Sequence, residues 1–67
     1  MKLNKQQLAV ALAYRDMNYS DLARRTGVAK QTISNGIHGM SLGEKTCRKL
    51  ADALGLPISA IADEEEG

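Results

Sequence analysis

Tyr19-Ser20-Asp21-Leu22-Ala23-Arg24-Arg25-Thr26-Gly27-Val28-Ala29-Lys30-Gln31-Thr32-Ile33-Ser34-Asn35-Gly36-Ile37-His38-Gly39 is the stretch that decides the fold. Leu22 and Ala23 end one helical face, Gly27 breaks the chain, and Val28 and Ile33 follow. These positions fit two helices crossing at a wide angle over a tight turn. Ala23 is small where the next helix passes close, and Gly27 can adopt the positive φ that the turn needs. Leu22, Val28 and Ile33 then pack under the crossing. The outer face of the following helix is left to Lys30, Gln31, Thr32 and Asn35, side chains able to hydrogen-bond with base edges.

Outward from this stretch, helix signals recur along the chain and strand signals are absent. Asn4 caps a first helix, with Gln7 completing a capping box and Leu3 stapling against Leu8. Leu8, Ala11, Leu12 and Arg15 keep the helical spacing. Asn18 and Asp21 form a second box, flanked by Met17 and Leu22. The third helix starts around Ala29. Ser41 and Glu44 form another box, opening a helix with an inner face of Cys47, Leu50, Ala51 and Leu54. Gly55 stops that helix, and Pro57 begins a last short one carrying Ile58 and Ile61. The expected architecture is all-α, a compact bundle of five short helices without a sheet. Leu8, Leu12, Leu22, Ala23, Val28, Ile33, Leu50, Leu54 and Ile61 form its core.

Size and composition agree with this. The 67 residues make one domain, and domains of this size bury roughly 60% of their unfolded surface. The core lacks Phe and Trp, and one Cys supplies neither a disulfide nor a thiolate zinc site. No apolar run approaches the ~18 residues of a spanning helix, and the N-terminal residues lack signal-peptide character. The net charge of +1 conceals an asymmetry. Residues 1–49 hold nine basic residues and three acidic ones, a balance of +6, while residues 50–67 hold five acidic residues and no basic one. A basic working face and an acidic tail follow. The domain is drawn at 1–62 and the tail at 63–67. Arg24 and Arg25 suit phosphate contact or a solvated helix face equally.

Ser20 to Ser34, quoted above, resembles the helix-turn-helix of the phage repressor and Cro family, the XRE-like regulators with the lambda-repressor-like fold. Lys49-Leu50-Ala51-Asp52-Ala53-Leu54-Gly55-Leu56 is similar to that family's fourth helix and the turn after it. The resemblance runs without gaps over nearly the whole chain. It implies a transcriptional regulator, a repressor, that binds double-stranded operator DNA with the third helix in the major groove. Lys30, Gln31, Thr32 and Asn35 match positions facing base edges, and Gln31 is best suited to read adenine. Tyr19, Ser20, His38, Ser41 and Lys45 match positions near the phosphates, which set register.

The resemblance further implies a homodimer, at least on DNA, and a palindromic operator, because one recognition helix reads few base pairs. Leu56, Pro57 and Ile58 follow the fourth helix where family dimers meet, unless they close the core instead. The expected setting is the cytoplasm of a bacterium, chromosomal or phage-encoded. No membrane, cofactor, metal or small-molecule effector is expected.

Three positions depart from the family pattern. Ala29 stands where a capping side chain is usual. Gly36 replaces a bulky apolar residue, and a helical Gly costs up to about 1 kcal/mol against Ala, so the third helix should weaken at its end. Leu12 and Ile37 occupy positions at which some members pair Arg with Glu. Gly36 is also the best support for a rival reading, a helical protein-interaction module such as an antitoxin or adaptor with weak or lost DNA binding. A third class, a small enzyme, finds no constellation: Cys47 lies at core spacing, and lone His38 supplies no ligand set. Met17 and Met40 are expected as core filler.

Overall fold

The computed structural model describes residues 1–63. Four helices carry the fold: α1 (Lys5–Tyr14), α2 (Tyr19–Thr26), α3 (Lys30–Ile37) and α4 (Glu44–Leu54). A single 3₁₀ turn, Ile58–Ala60, follows α4. Two short antiparallel strands join the ends of the described chain, β1 (Lys2–Leu3) with β2 (Ala62–Asp63), in the register Lys2 to Asp63 and Leu3 to Ala62.

The expectation of five helices and no sheet is therefore corrected in two places, and one cause explains both. Asn4 N–H donates to the Ile61 carbonyl at 2.7 Å, continuing the strand register by one residue. Backbone that pairs across to residues 2–4 cannot also extend a helix beyond Ile61. A helix of one turn has little to resist this, because its nucleus orders several residues for one hydrogen bond.

The same pairing alters the first cap. Asn4 Oδ1 accepts from Gln7 N–H at 3.0 Å as expected, but the Asn4 N–H is satisfied by Ile61 and not by the Gln7 side chain. At Asn18 the capping box is complete: Asp21 N–H donates to Asn18 Oδ1 at 2.8 Å, and Asn18 N–H to the Asp21 carboxylate at 3.1 Å. The expected box at Ser41 and Glu44 does not form. Leu42 N–H instead donates to the Met1 carbonyl at 2.7 Å, and the Met1 amine donates to the Leu42 carbonyl at 2.9 Å. These bonds commit Leu42's backbone to the N-terminus, and α4 begins two residues later, with Gly43 as an N-cap lacking any side-chain bond.

Every helix feeds one core. Leu8 from α1, Leu22 from α2, Ile33 from α3, Cys47 and Leu50 from α4, and Ile61 are completely or almost completely buried. Full burial of an aliphatic side chain contributes roughly 1.5–3 kcal/mol. Leu12 and Leu54 are buried as expected, whereas Ala23 and Val28 are half-buried against the core. Leu3, Ala11, Leu42, Ala51 and Ala62 complete it. Met17 packs against this core, but Met40 is 58% exposed and fills nothing.

Gly36 is a core residue, which corrects the expectation of a weak end to α3. The helix runs on to Ile37, and the missing side chain leaves room for Leu3 and Leu42. A Cβ at Gly36 would lie 2.8 Å from Leu3 Cδ1 and 2.7 Å from Leu42 Cδ1. Two leucines from outside the helix occupy the volume a side chain of its own would take.

Candidate nucleic-acid interface

The turn between α2 and α3 is built from Thr26, Gly27 and Val28. Thr26 Oγ1 donates to the Leu22 carbonyl at 2.8 Å and accepts from Val28 N–H at 3.2 Å. Gly27 takes the left-handed conformation, φ 73°, and its N–H closes α2 on the Ala23 carbonyl at 2.9 Å. The chain then enters α3 through Ala29, which offers no side-chain cap; Thr32 and Ile33 N–H groups donate to the Ala29 carbonyl.

Ile33 and Gly36 are buried and Ile37 is half-buried, which orients α3 about its axis. At 100° per residue, the opposite stripe is Gln31, Ser34, Asn35 and His38, with Lys30 and Thr32 on its two flanks. Gln31 and Asn35 are joined: Gln31 Nε2 donates to Asn35 Oδ1 at 2.9 Å. His38 folds back along the helix, its Nδ1 donating to the Ser34 carbonyl at 2.7 Å. That bond assigns the ring's proton to Nδ1 and leaves Nε2 unspent. Ser34 shares this stripe and was missed from sequence; its i, i+4 spacing to His38 was the available signal.

The remaining expected residues lie on other elements. Tyr19 and Ser20 open α2 and are half-buried, Tyr19 packing on the core. Ser41 is exposed in the loop after α3, its hydroxyl 3.4 Å from the Met1 amine. Lys45 is exposed in the first turn of α4. Among the described residues, Lys30 and Lys45 form no ion pair, whereas Arg48 is paired with Glu44 at 3.0 Å. Arg24 is paired with Asp21, opposite the buried side of α2, while Arg25 beside it is exposed and forms no ion pair among the described residues.

Two groups have displaced proton affinities. The Asp21 carboxyl is held below its ordinary value, chiefly by the Asn18 N–H that donates to it and also by the Arg24 guanidinium. Burial raises the Cys47 thiol, so it resists forming a thiolate. That is the condition of a structural cysteine, not a nucleophile.

Two helices joined by a left-handed glycine turn, with an uncharged core face and a polar outer face on the second, define a DNA-binding helix-turn-helix domain. Residues 12–61 match the family model for the helix-turn-helix. The chain belongs to this family, of the Cro and XRE type, whose domains are DNA-binding and regulatory. No curated protein and no solved structure matches the chain significantly. Both paired strands fall outside the matched segment, β2 directly after it and β1 eight residues before it. No helix among the described residues is long and apolar enough to cross a membrane.

Proposed function

We propose that this chain is a sequence-specific regulator that represses transcription by occupying a palindromic operator as a dimer, with α3 in the major groove. The observation that carries the reading is the amide pair of Gln31 and Asn35, aligned on the side of α3 that faces away from the core. An amide nitrogen has two N–H groups. Gln31 Nε2 can keep its bond to Asn35 while its second N–H donates to adenine N7 and its Oε1 accepts from adenine N6. Asn35 then fixes the orientation of a side chain that would otherwise rotate freely, and Gln31 meets the base with less entropy to lose.

Lys30 carries its ammonium toward guanine acceptors, and Thr32 faces the flank of the same groove. Tyr19, Ser20, His38 through Nε2, Ser41 and Lys45 hold phosphates and set register. Repression follows from occupancy, because a filled groove excludes other proteins. The reading requires no cofactor, metal or effector, and it puts the protein in the cytoplasm, on its DNA. The protein-interaction rival loses its main support, since Gly36 has a packing reason. Selection of bound sites from a random duplex pool tests the proposal: an enriched, two-fold symmetric sequence is expected, and recovery of the input distribution would overturn it.

A further inference from the structure

One joint ties the outer stripe of α3 to the loop that follows it. α3 packs chiefly on α2 and on the N-terminal strand β1. The strand reaches α3 at Gly36, where a Cβ would lie 2.8 Å from Leu3 Cδ1 and 2.7 Å from Leu42 Cδ1. Each wall of this notch adjoins an expected DNA contact. Gly36 follows Asn35, the partner of Gln31 in the amide pair. Leu42 follows Ser41, which stands at a phosphate position. Leu3 is buried and meets both walls.

The backbone on either side of Leu3 is held by segments far away in the chain. Leu3 pairs with Ala62, and Asn4 N–H donates to the Ile61 carbonyl at 2.7 Å; Ile61 and Ala62 are themselves buried. Before it, the Met1 carbonyl accepts from Leu42 N–H at 2.7 Å. Leu3 cannot leave the notch without disturbing bonds to both segments. The loop after α3 turns about the same point: Met40 N–H donates to the Asn35 carbonyl at 3.0 Å and Gly39 N–H to the Gly36 carbonyl at 3.2 Å.

We infer that Leu3 is a positioning residue for sequence reading: seated between Gly36 and Leu42, it fixes the C-terminal half of α3 relative to the loop that carries Ser41. The inference rests on the reading of α3 as the base-reading helix and adds what holds that helix in place. Phosphate contacts set register, and base contacts specify only if the reading side chains keep that register. Groups that read a ligand need to be held within about 0.5 Å by packing around them. α3 has eight residues, so one anchor near each end determines its direction. Ile33 is the core anchor in its first half, and Leu3 in the Gly36 notch is the anchor in its second. Leu3 touches no DNA and acts through Asn35 and Gln31.

The test compares affinity for the duplex recovered by site selection with affinity for an arbitrary duplex of equal length. Leu3→Val removes one methylene from the notch and keeps a strand-forming residue. Measured where the variant is fully folded, it should lower the ratio of the two affinities at least about fivefold, with the salt slope on the arbitrary duplex retained. Leu3→Met, which conserves volume, should restore the ratio. Leu54→Ala, a core truncation at the other end of α4, should leave it unchanged. Without DNA, amide exchange in Leu3→Val should quicken at His38, Met40 and Leu42 and stay slow at Leu22 and Ile33. A Leu3→Val protein that keeps the ratio, or loses affinity for both duplexes equally, would overturn the inference. Exchange quickened evenly through the domain would do the same, since it marks a merely structural residue. A parent protein with no preferred duplex would overturn the functional reading as well, whereas a parent with one, and Leu3 variants that read it equally well, would overturn this inference alone.

Discussion

Gly36 and Leu42 share one volume. A Cβ on Gly36 would lie 2.7 Å from Leu42 Cδ1 and 3.2 Å from its Cγ, closer than packed carbon atoms approach. Leu42 is held in place by its paired backbone bonds to Met1, and Leu3 presses on the same spot from β1. The glycine in the third helix is therefore what allows the N-terminal strand and the loop after α3 to close over it.

Substitution at Gly36 sets helix propensity against packing. Alanine gains up to about 1 kcal/mol in propensity and incurs about 1–3 kcal/mol of overpacking, so Gly36→Ala should destabilise by about 1 kcal/mol. In a Leu42→Ala background the same substitution should cost less, or stabilise. Urea unfolding of the four proteins of this cycle measures the coupling. Strictly additive effects would show that the contact carries no energy.

Gln31 and Lys45 should separate by the kind of binding they support. Gln31→Ala is expected to cost roughly 1–3 kcal/mol on the selected site and relax preference at one base pair. Lys45→Ala should weaken binding to every duplex alike and reduce the salt slope by about one unit. Equal loss on specific and arbitrary duplexes for Gln31→Ala would remove α3 as the reading element.

The proposed dimer makes a prediction of its own on DNA. A titration against one half-site and the full palindrome should show cooperative binding only to the palindrome. The same affinity per protein for both, without cooperativity, would leave a monomeric reader.

Asp21 ties stability to acid. Its folded pKa is lowered from 3.8, so the stability contributed by its bonds to Asn18 and Arg24 is fully present above that unfolded value. It is lost as pH falls through the lower folded pKa. Asp21→Asn should therefore be less stable than the parent near neutrality, and the difference should shrink as pH drops below 3.8. Thermal unfolding across that range reads this directly, and a gap that stays constant would exclude the linkage.

Cys47 is completely buried and its thiol is raised by burial. It should not react with a thiol reagent at neutral pH in the folded protein and should react fully once unfolded. Rapid labelling of the native protein would mean that α4 opens locally.

The sequence by itself determined the local devices. Asn18 and Asp21 carry a complete capping box because both partners lie within four residues. Gly27 and Gly55 take the left-handed conformation because few other residues do so without strain. The spacing of Cys47, Leu50, Ala51 and Leu54 fixes the buried side of α4, and that of Ile33 and Ile37 leaves Gln31 and Asn35 outside. Such information is short-range and periodic, so it survives without coordinates. Only the tertiary structure decided what happens where distant segments compete for the same backbone groups. Strands of two residues have no period to detect, yet the pairing of residues 2–4 with 61–63 ended the expected fifth helix. The Met1 ladder to Leu42, some 40 residues away, displaced the expected cap of α4. Gly36 looked like a defect in a helix because the leucines that fill its space come from residues 3 and 42, which no window along α3 contains.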